Sequence, residues 1–442
     1  MSTLARTLTL IVLTSTLVGC DSSSELDECV YPEDGTRGAA DEPVTSGRRR
    51  RCPSSVFTPE DVRAREVFGV VRRGEGFVSG ALVRAEPTPG FEMGSGAIPT
   101  TAVTDGVGFF AGLRPSSYRY DLLVKLDRPG ASDPDVLVYR GLAGRYVEPS
   151  IEGPLTAARA WTARVDVALD RAVPAGHSVA FFANGFGVYG VTGDLTAGLT
   201  VSGATYSLPA TLHVVEFETA GGLAAATAYG TASVTADAGR ARLVSIALQP
   251  IPFFVEPMLV AEAPVGFSPV KIDVAFSFSR TSGGTLASAA AGSSPRLPII
   301  PNAGYTYRAR ATKDGVSSDS GEISFDVLLP RTEIELPSPP AIVSPAEGEA
   351  RGARETLLVD GDGVFEHVLV PESVGPTIRI VAGQREAALP DVTTLGATAP
   401  AGAYVWTVRS YPKARFAEEL AGLDARRNRP MTVSRPRSIV LR

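Results

Sequence analysis

The chain is predicted to be all-β, a series of tandem antiparallel β-sandwich modules, on three observations. Apolar and polar residues alternate with a period of two in several runs, turn-forming Gly, Pro and Asn cluster between those runs, and prolines gather at intervals the size of a sandwich domain. Tyr120, Leu122, Val124 and Leu126 alternate with Asp121, Lys125 and Asp127. Val165, Val167 and Leu169 alternate with Arg164, Asp166 and Asp170, and Ile272, Val274, Phe276 and Phe278 with Lys271, Asp273 and Ser277. The same period returns over 305–312, 323–329 and 404–411. Successive strand side chains point to opposite faces, so each run describes a strand with one buried face. Arg415 to Arg427 instead places Phe416, Leu420 and Leu423 on one helical face, an insertion between late strands.

A chain of 442 residues is too long for a single core. Proline lacks the N–H that a central strand must donate, so its clusters mark joints. They fall at Glu152 to Pro154, Gln249 to Pro257 and Leu336 to Pro340. The resulting division is a leader over 1–19, a disordered tether over 20–63, and modules over 64–157, 158–250, 251–337 and 338–442.

In the leader, Arg6 precedes Leu8, Leu10, Ile11, Val12, Leu13 and Leu17, interrupted by Thr and Ser. The run is too short to span a bilayer and has the proportions of a signal peptide. Leu17-Val18-Gly19-Cys20 then resembles the lipobox of bacterial lipoproteins. The resemblance implies cleavage before Cys20, acylation of that cysteine, and attachment to a membrane through the acylated N-terminus, facing periplasm or exterior. Inner and outer membrane both stay open. Several acyl chains, at about 0.8 kcal/mol per buried methylene, would hold the protein without a transmembrane helix. With Cys20 lipidated, Cys29 and Cys52 remain, and an oxidising compartment favours a disulfide between them. Zinc suits them less, because no histidine lies nearby.

Formal net charge is −6, and becomes −7 once Arg6 leaves with the leader. That argues against a nucleic-acid partner, since phosphate binding needs clustered Lys and Arg, and the one dense cluster, Arg48 to Arg51, sits in a polar linker. His177, His213 and His367 are dispersed. No Gly-x-Ser-x-Gly elbow and no phosphate-binding loop ending in Lys-Ser or Lys-Thr occurs, so neither catalytic residues nor a cofactor are assigned. Asp360-Gly361-Asp362-Gly363 with Glu366 resembles a truncated calcium loop, although it lacks the third loop carboxylate and the distant bidentate glutamate. A hairpin turn accounts for the same residues.

The first module resembles the carboxypeptidase regulatory-like domain, a small transthyretin-like β-sandwich. The resemblance rests on Val67 to Val71, Gly80-Ala81-Leu82-Val83, Thr104 to Phe110, and Leu113-Arg114-Pro115 running into Tyr118. Asp105, Gly106 and Gly108 would form a tight hairpin, with Phe109 starting the next strand. The third and fourth modules resemble fibronectin type III or immunoglobulin-like domains. Ile299, Pro301 and Tyr305 have the spacing of a tyrosine corner, and Pro400 with Tyr404 repeats part of it. Pro340 to Gly348 reads as an opening strand, and Tyr404 and Trp406 share a core-facing side. The 158–250 module is β without a resemblance. Together these features imply a non-enzymatic, lipid-anchored cell-envelope protein displaying β-sandwich modules for adhesion, or for protein or glycan binding. The alternatives are a structural subunit of an envelope assembly and an envelope glycan hydrolase with paired acids on 158–250.

Overall fold

The computed structural model describes residues 66–442 apart from 75, 90–99, 116, 129, 152–160, 185–187, 195–197, 204–206, 238–239, 280–281 and 353–354. Cys20, Cys29 and Cys52 lie outside the described residues. What is described is all-β: strands joined by turns, three short 3₁₀ turns and one five-residue helix. Strand periodicity behaves as expected in the third module, where Lys271–Ser279 and Gly304–Lys313 bury every second residue. The expected 323–329 strand is only Ile323–Ser324, because the chain turns at Asp326, whose carbonyl accepts the Leu329 N–H at 3.1 Å.

Four hydrophobic clusters form the cores. One gathers Val165, Phe181, Leu212, Val214 and Ile246 of the second module. The others cross the expected joints. Phe182, Val215 and Tyr229 of the second module pack into the third-module core beside Phe276 and Phe278. Leu123, Val136 and Val138 of the first module pack with Trp406, Ile378 and Ile380 of the fourth. Val364, Val381, Tyr411 and Leu420 of the fourth complete the core of the first.

Backbone pairing follows the same pattern. One 15-stranded sheet runs through three modules in the spatial order third, fourth, first. Val316–Asp319 pairs antiparallel with Met431–Val433, setting Ser317 opposite Val433 and Asp319 opposite Met431. Thr377–Ala382 pairs parallel with Asp135–Leu142, from Thr377 opposite Asp135 to Val381 opposite Tyr139. At these two seams, strand edges that would otherwise invite pairing with other chains are thus satisfied within this one. The fourth module's sheet is covered on both sides. Val364–Pro371 is central, bonded to Thr377–Ala382 and Gly402–Tyr411, and its first six residues are all buried. Tyr120–Leu126 is likewise buried on both faces, so its expected half-burial is replaced by near-complete burial.

Two local expectations change. The Asp105 turn does not close a hairpin: Phe109 pairs with Val70, whereas Thr100–Val103 pairs with Leu82–Pro87, so the turn carries the chain from one sheet to the other. Asp105 Oδ1 holds it by accepting the N–H groups of Val107 and Phe109 at 2.9 and 2.8 Å. The expected helix over 415–427 is broken into a 3₁₀ turn, Ala417–Leu420, and a short helix, Leu423–Arg427. Gly422, at φ +101°, separates them in a backbone conformation that a side chain would resist.

Candidate functional site

A dense constellation of charged side chains sits where the first and fourth modules meet, around Glu366. Val364–Pro371 directs Phe365 and Leu369 into the fourth-module core, and Val364 into the cluster shared with the first module. Alternation puts Glu366 on the side of Val364 and His367 on the side of Phe365. Arg426 Nη1 donates to Glu366 Oε1 at 3.0 Å. Arg379 Nη1 reaches the same oxygen at 3.4 Å, and Arg409 Nη1 and the Tyr411 hydroxyl donate to Oε2 at 3.5 and 3.4 Å. The Glu366 side chain is 0 % exposed and that of Arg426 4 %. Burial, the largest single influence, pushes the Glu366 carboxyl upward; the charges of Arg426, Arg409 and Arg379 together outweigh it and hold the pKa at about 2. Such a carboxylate is a fixed charge rather than a proton donor.

Arg426 also donates from Nε to the Leu420 carbonyl at 3.0 Å and from Nη2 to the Tyr139 phenol at 2.7 Å. Tyr139 belongs to the first module's Asp135–Leu142 strand, so one guanidinium ties that module, the insertion and the fourth-module sheet together. The insertion reaches further on both sides. The Ala143 N–H donates to Glu418 Oε1, and Arg427 Nε pairs with Glu322 Oε2 of the third module at 2.6 Å. The Glu322 N–H donates to the Arg427 carbonyl at 2.9 Å. Gly321, at φ +73°, permits this approach, since a Cβ there would stand 2.4 Å from the Arg429 carbonyl oxygen. The 412–430 segment therefore acts as a clasp on three modules.

Two histidines lie in cores. His367 is 0 % exposed, stacks on Trp406 with ring centroids 5.8 Å apart, and has no hydrogen-bond partner on either nitrogen. Burial, against the weaker opposing pull of Glu366, lowers its pKa to about 3. His213 lies on Phe278 of the third module at 3.8 Å, nearly parallel, with Nδ1 at 2.8 Å from the Tyr229 hydroxyl. Burial lowers its pKa to about 4. His177 Nδ1 is 3.0 Å from Oε1 of the buried Glu216, whose other oxygen faces Arg171 at 2.9 Å. That carboxylate is engaged inside the 158–250 module by His177 and Arg171.

The candidate metal residues are not brought together. Asp360 and Asp362 occupy an exposed turn against Arg385, at 3.0 and 4.0 Å. Glu366 lies beyond it on the buried strand, turned toward its three arginines. Among the described residues, no group of three or more His, Cys, Asp or Glu side chains could hold a metal ion. The tyrosine corner at Tyr305 is present: its hydroxyl donates to the Pro298 carbonyl at 2.8 Å and accepts the Ile300 N–H at 2.7 Å. Tyr404 forms no such corner. Its hydroxyl is buried without a partner, abuts Gly375, and is pushed to about 12 by burial and the Asp133 carboxylate. Trp406 and Tyr404 are both 0 % exposed core residues. Sequence reasoning missed the Glu366 cluster because its six members, Tyr139, Glu366, Arg379, Arg409, Tyr411 and Arg426, are scattered from 139 to 426 and single charged residues look like a solvated face.

No protein-family model matches the chain, and no curated protein matches it. Among solved structures, similarity is found to the major pilin SpaD of Corynebacterium diphtheriae, at 9 % identity over 61 % of this chain and 96 % of the pilin, with a TM-score of 0.16. GBS52, the minor pilin of Streptococcus agalactiae, aligns at 14 % identity over 43 % of this chain and 98 % of its own, with a TM-score of 0.17. A streptococcal ancillary pilin aligns at 11 % identity over 61 % and 99 %, with a TM-score of 0.16. Scores this low leave the function to be argued from the chain's own residues.

Proposed function

We propose that the chain is a non-enzymatic cell-envelope protein, lipid-anchored through Cys20, whose fused β-sandwich modules form a stiff support for protein or glycan binding at a surface. The observation that carries this reading is the sheet shared by three modules and clamped at Glu366. A support that must hold a binding surface at a set place gains from joints that cannot hinge, and a membrane anchor raises the effective concentration of weak sites. The lipobox-like Leu17 to Cys20 supplies the anchor. A second reading, a structural subunit of an envelope assembly, is favoured by Thr100–Val103, the terminal strand of the shared sheet, whose outer edge pairs with no strand among the described residues.

Membrane fractionation of cells producing the native chain and the Cys20→Ser variant, each followed by crosslinking and mass spectrometry, tests the proposal. The native chain is expected in membranes with a reproducible envelope protein or glycan attached, and the variant in the soluble fraction. Unchanged fractionation of the variant removes the anchor.

A further inference from the structure

One face of the first module is unusual in what it leaves in water. Phe109–Leu113, Val67–Val70 and Tyr146–Val147 form a three-stranded sheet. Its inner face buries Phe110, Val67 and Val147, while the outer face carries one aromatic side chain per strand: Phe109, Phe68 and Tyr146, exposed by 40, 38 and 52 %. They form a row across the strands, because Phe68 is directly opposite Tyr146 and Phe109 is opposite Val70, one same-face position along. Neighbouring ring centroids are 6.5 and 5.7 Å apart, and the rings are tilted by 46 and 58°. Arg72 and Glu148 form an ion pair on the same side, and the Arg72 guanidinium lies over the Phe77 ring at 4.4 Å.

We infer that this row is a binding site for a neutral, β-linked oligosaccharide of about three pyranose units. The inference rests on the display reading above and gives it a site and a ligand class. A pyranose offers an apolar C–H face and a rim of hydroxyls. The three rings suit the faces of successive sugars, and the Arg72 and Glu148 pair with the Tyr146 phenol suits the rim. Burial, and after it the Glu148 carboxylate, to which the phenol is hydrogen-bonded, raise the Tyr146 pKa, so the phenol is protonated at neutral pH and joins the polar group formed by Arg72 and Glu148.

Charge and area select the occupant. Arg72 and Glu148 are paired with each other, so neither is left to recruit an anionic or cationic ligand. Taking about 200 Å² per aromatic side chain, the three exposures amount to roughly 250 Å² of open aromatic surface. A stable protein interface needs about 800 Å² per partner, so the row is too small for a second copy or a folded protein and of the right size for a short glycan.

The test uses the full chain carrying Cys20→Ser, titrated calorimetrically with cellotriose, chitotriose and, as an anionic control, trigalacturonate, with saturation-transfer NMR on the sugar C–H protons. Saturable binding of at least one neutral trimer is expected, with saturation strongest on C–H groups of the pyranose faces. Phe68→Leu keeps an apolar residue but removes the ring, and should weaken binding at least tenfold at an unchanged melting temperature. Tyr146→Ala should do the same, and Tyr146→Phe should weaken it a few-fold. Absence of saturable binding by both neutral trimers, equal binding by Phe68→Leu, or tighter binding of trigalacturonate would overturn the assignment. Membrane release by Cys20→Ser is read in cells without any sugar, so failure here and failure of the display reading are separable.

Discussion

Glu366→Gln removes one charge while leaving side-chain volume nearly unchanged. Arg426 would then keep its guanidinium 4 % exposed and could still donate to the amide oxygen of the new side chain, the Leu420 carbonyl and the Tyr139 phenol, but it would lose the carboxylate charge opposite it. A buried charge left without its counter-ion costs about 3 to 5 kcal/mol. Arg379 and Arg409, at 17 and 22 % side-chain exposure and longer distances, add less than about 1 kcal/mol each. Proton linkage gives a similar figure: a shift from 4.5 to about 2 is worth about 3 kcal/mol at neutral pH. The folded pKa lies below the unfolded one, so this stabilisation is complete above pH 4.5 and disappears as pH falls toward 2. Urea unfolding at pH 7 is expected to show a loss of about 4 kcal/mol for Glu366→Gln. The double variant Glu366→Gln/Arg426→Met should lose at least about 2 kcal/mol less than the two single losses combined, because the second change removes the stranded charge. A single-variant loss below about 0.5 kcal/mol, or strict additivity of the two, would refute the clamp.

The buried histidines predict acid sensitivity at higher pH. Their folded pKa values, about 3 for His367 and about 4 for His213, lie below the ordinary 6.5, so the unfolded chain takes up protons first and stability falls as pH drops below 6.5. Between pH 7 and 5 each should lose about 2 kcal/mol at most, measurable as a shift in urea midpoint. His367→Phe should remove its own share, and an unchanged pH slope in that variant would contradict the account. Tyr305→Phe strands the buried Ile300 N–H and should cost about 1 to 3 kcal/mol in third-module unfolding; an unaltered melting temperature would show that the corner contributes nothing.

Local features were legible in the sequence where one face of a strand meets a core and the other meets water. Lys271–Ser279 is such a strand, and its alternation predicted its burial residue by residue. The tyrosine corner was legible because it is made within eight residues, from Pro298 to Tyr305. Val364–Pro371 was not, since both its faces are covered and Glu366 and His367 at its centre look like surface residues. The pairing of 135–139 with 377–381 left no local trace, because nothing near either segment names its partner some 240 positions away. The helical pattern at 415–427 was visible, yet its role came only with its neighbours: Leu420 enters the first-module core, Arg426 reaches Glu366, and Arg427 meets Glu322. The turn at Asp360 drew attention as a calcium loop because sequence shows spacing but not direction, and Glu366 points inward while the aspartates face water.

The shared sheet is the central claim, and native-state hydrogen exchange at the first-to-fourth seam tests it most directly. The amides of 136–139 and 378–381 are predicted to exchange only as slowly as those of core strands such as Tyr120–Leu126 and Gly402–Tyr411, and to speed up together in Glu366→Gln. Exchange at the rate of the open edge Thr100–Val103 would contradict it, and would return the modules to independent units on a string.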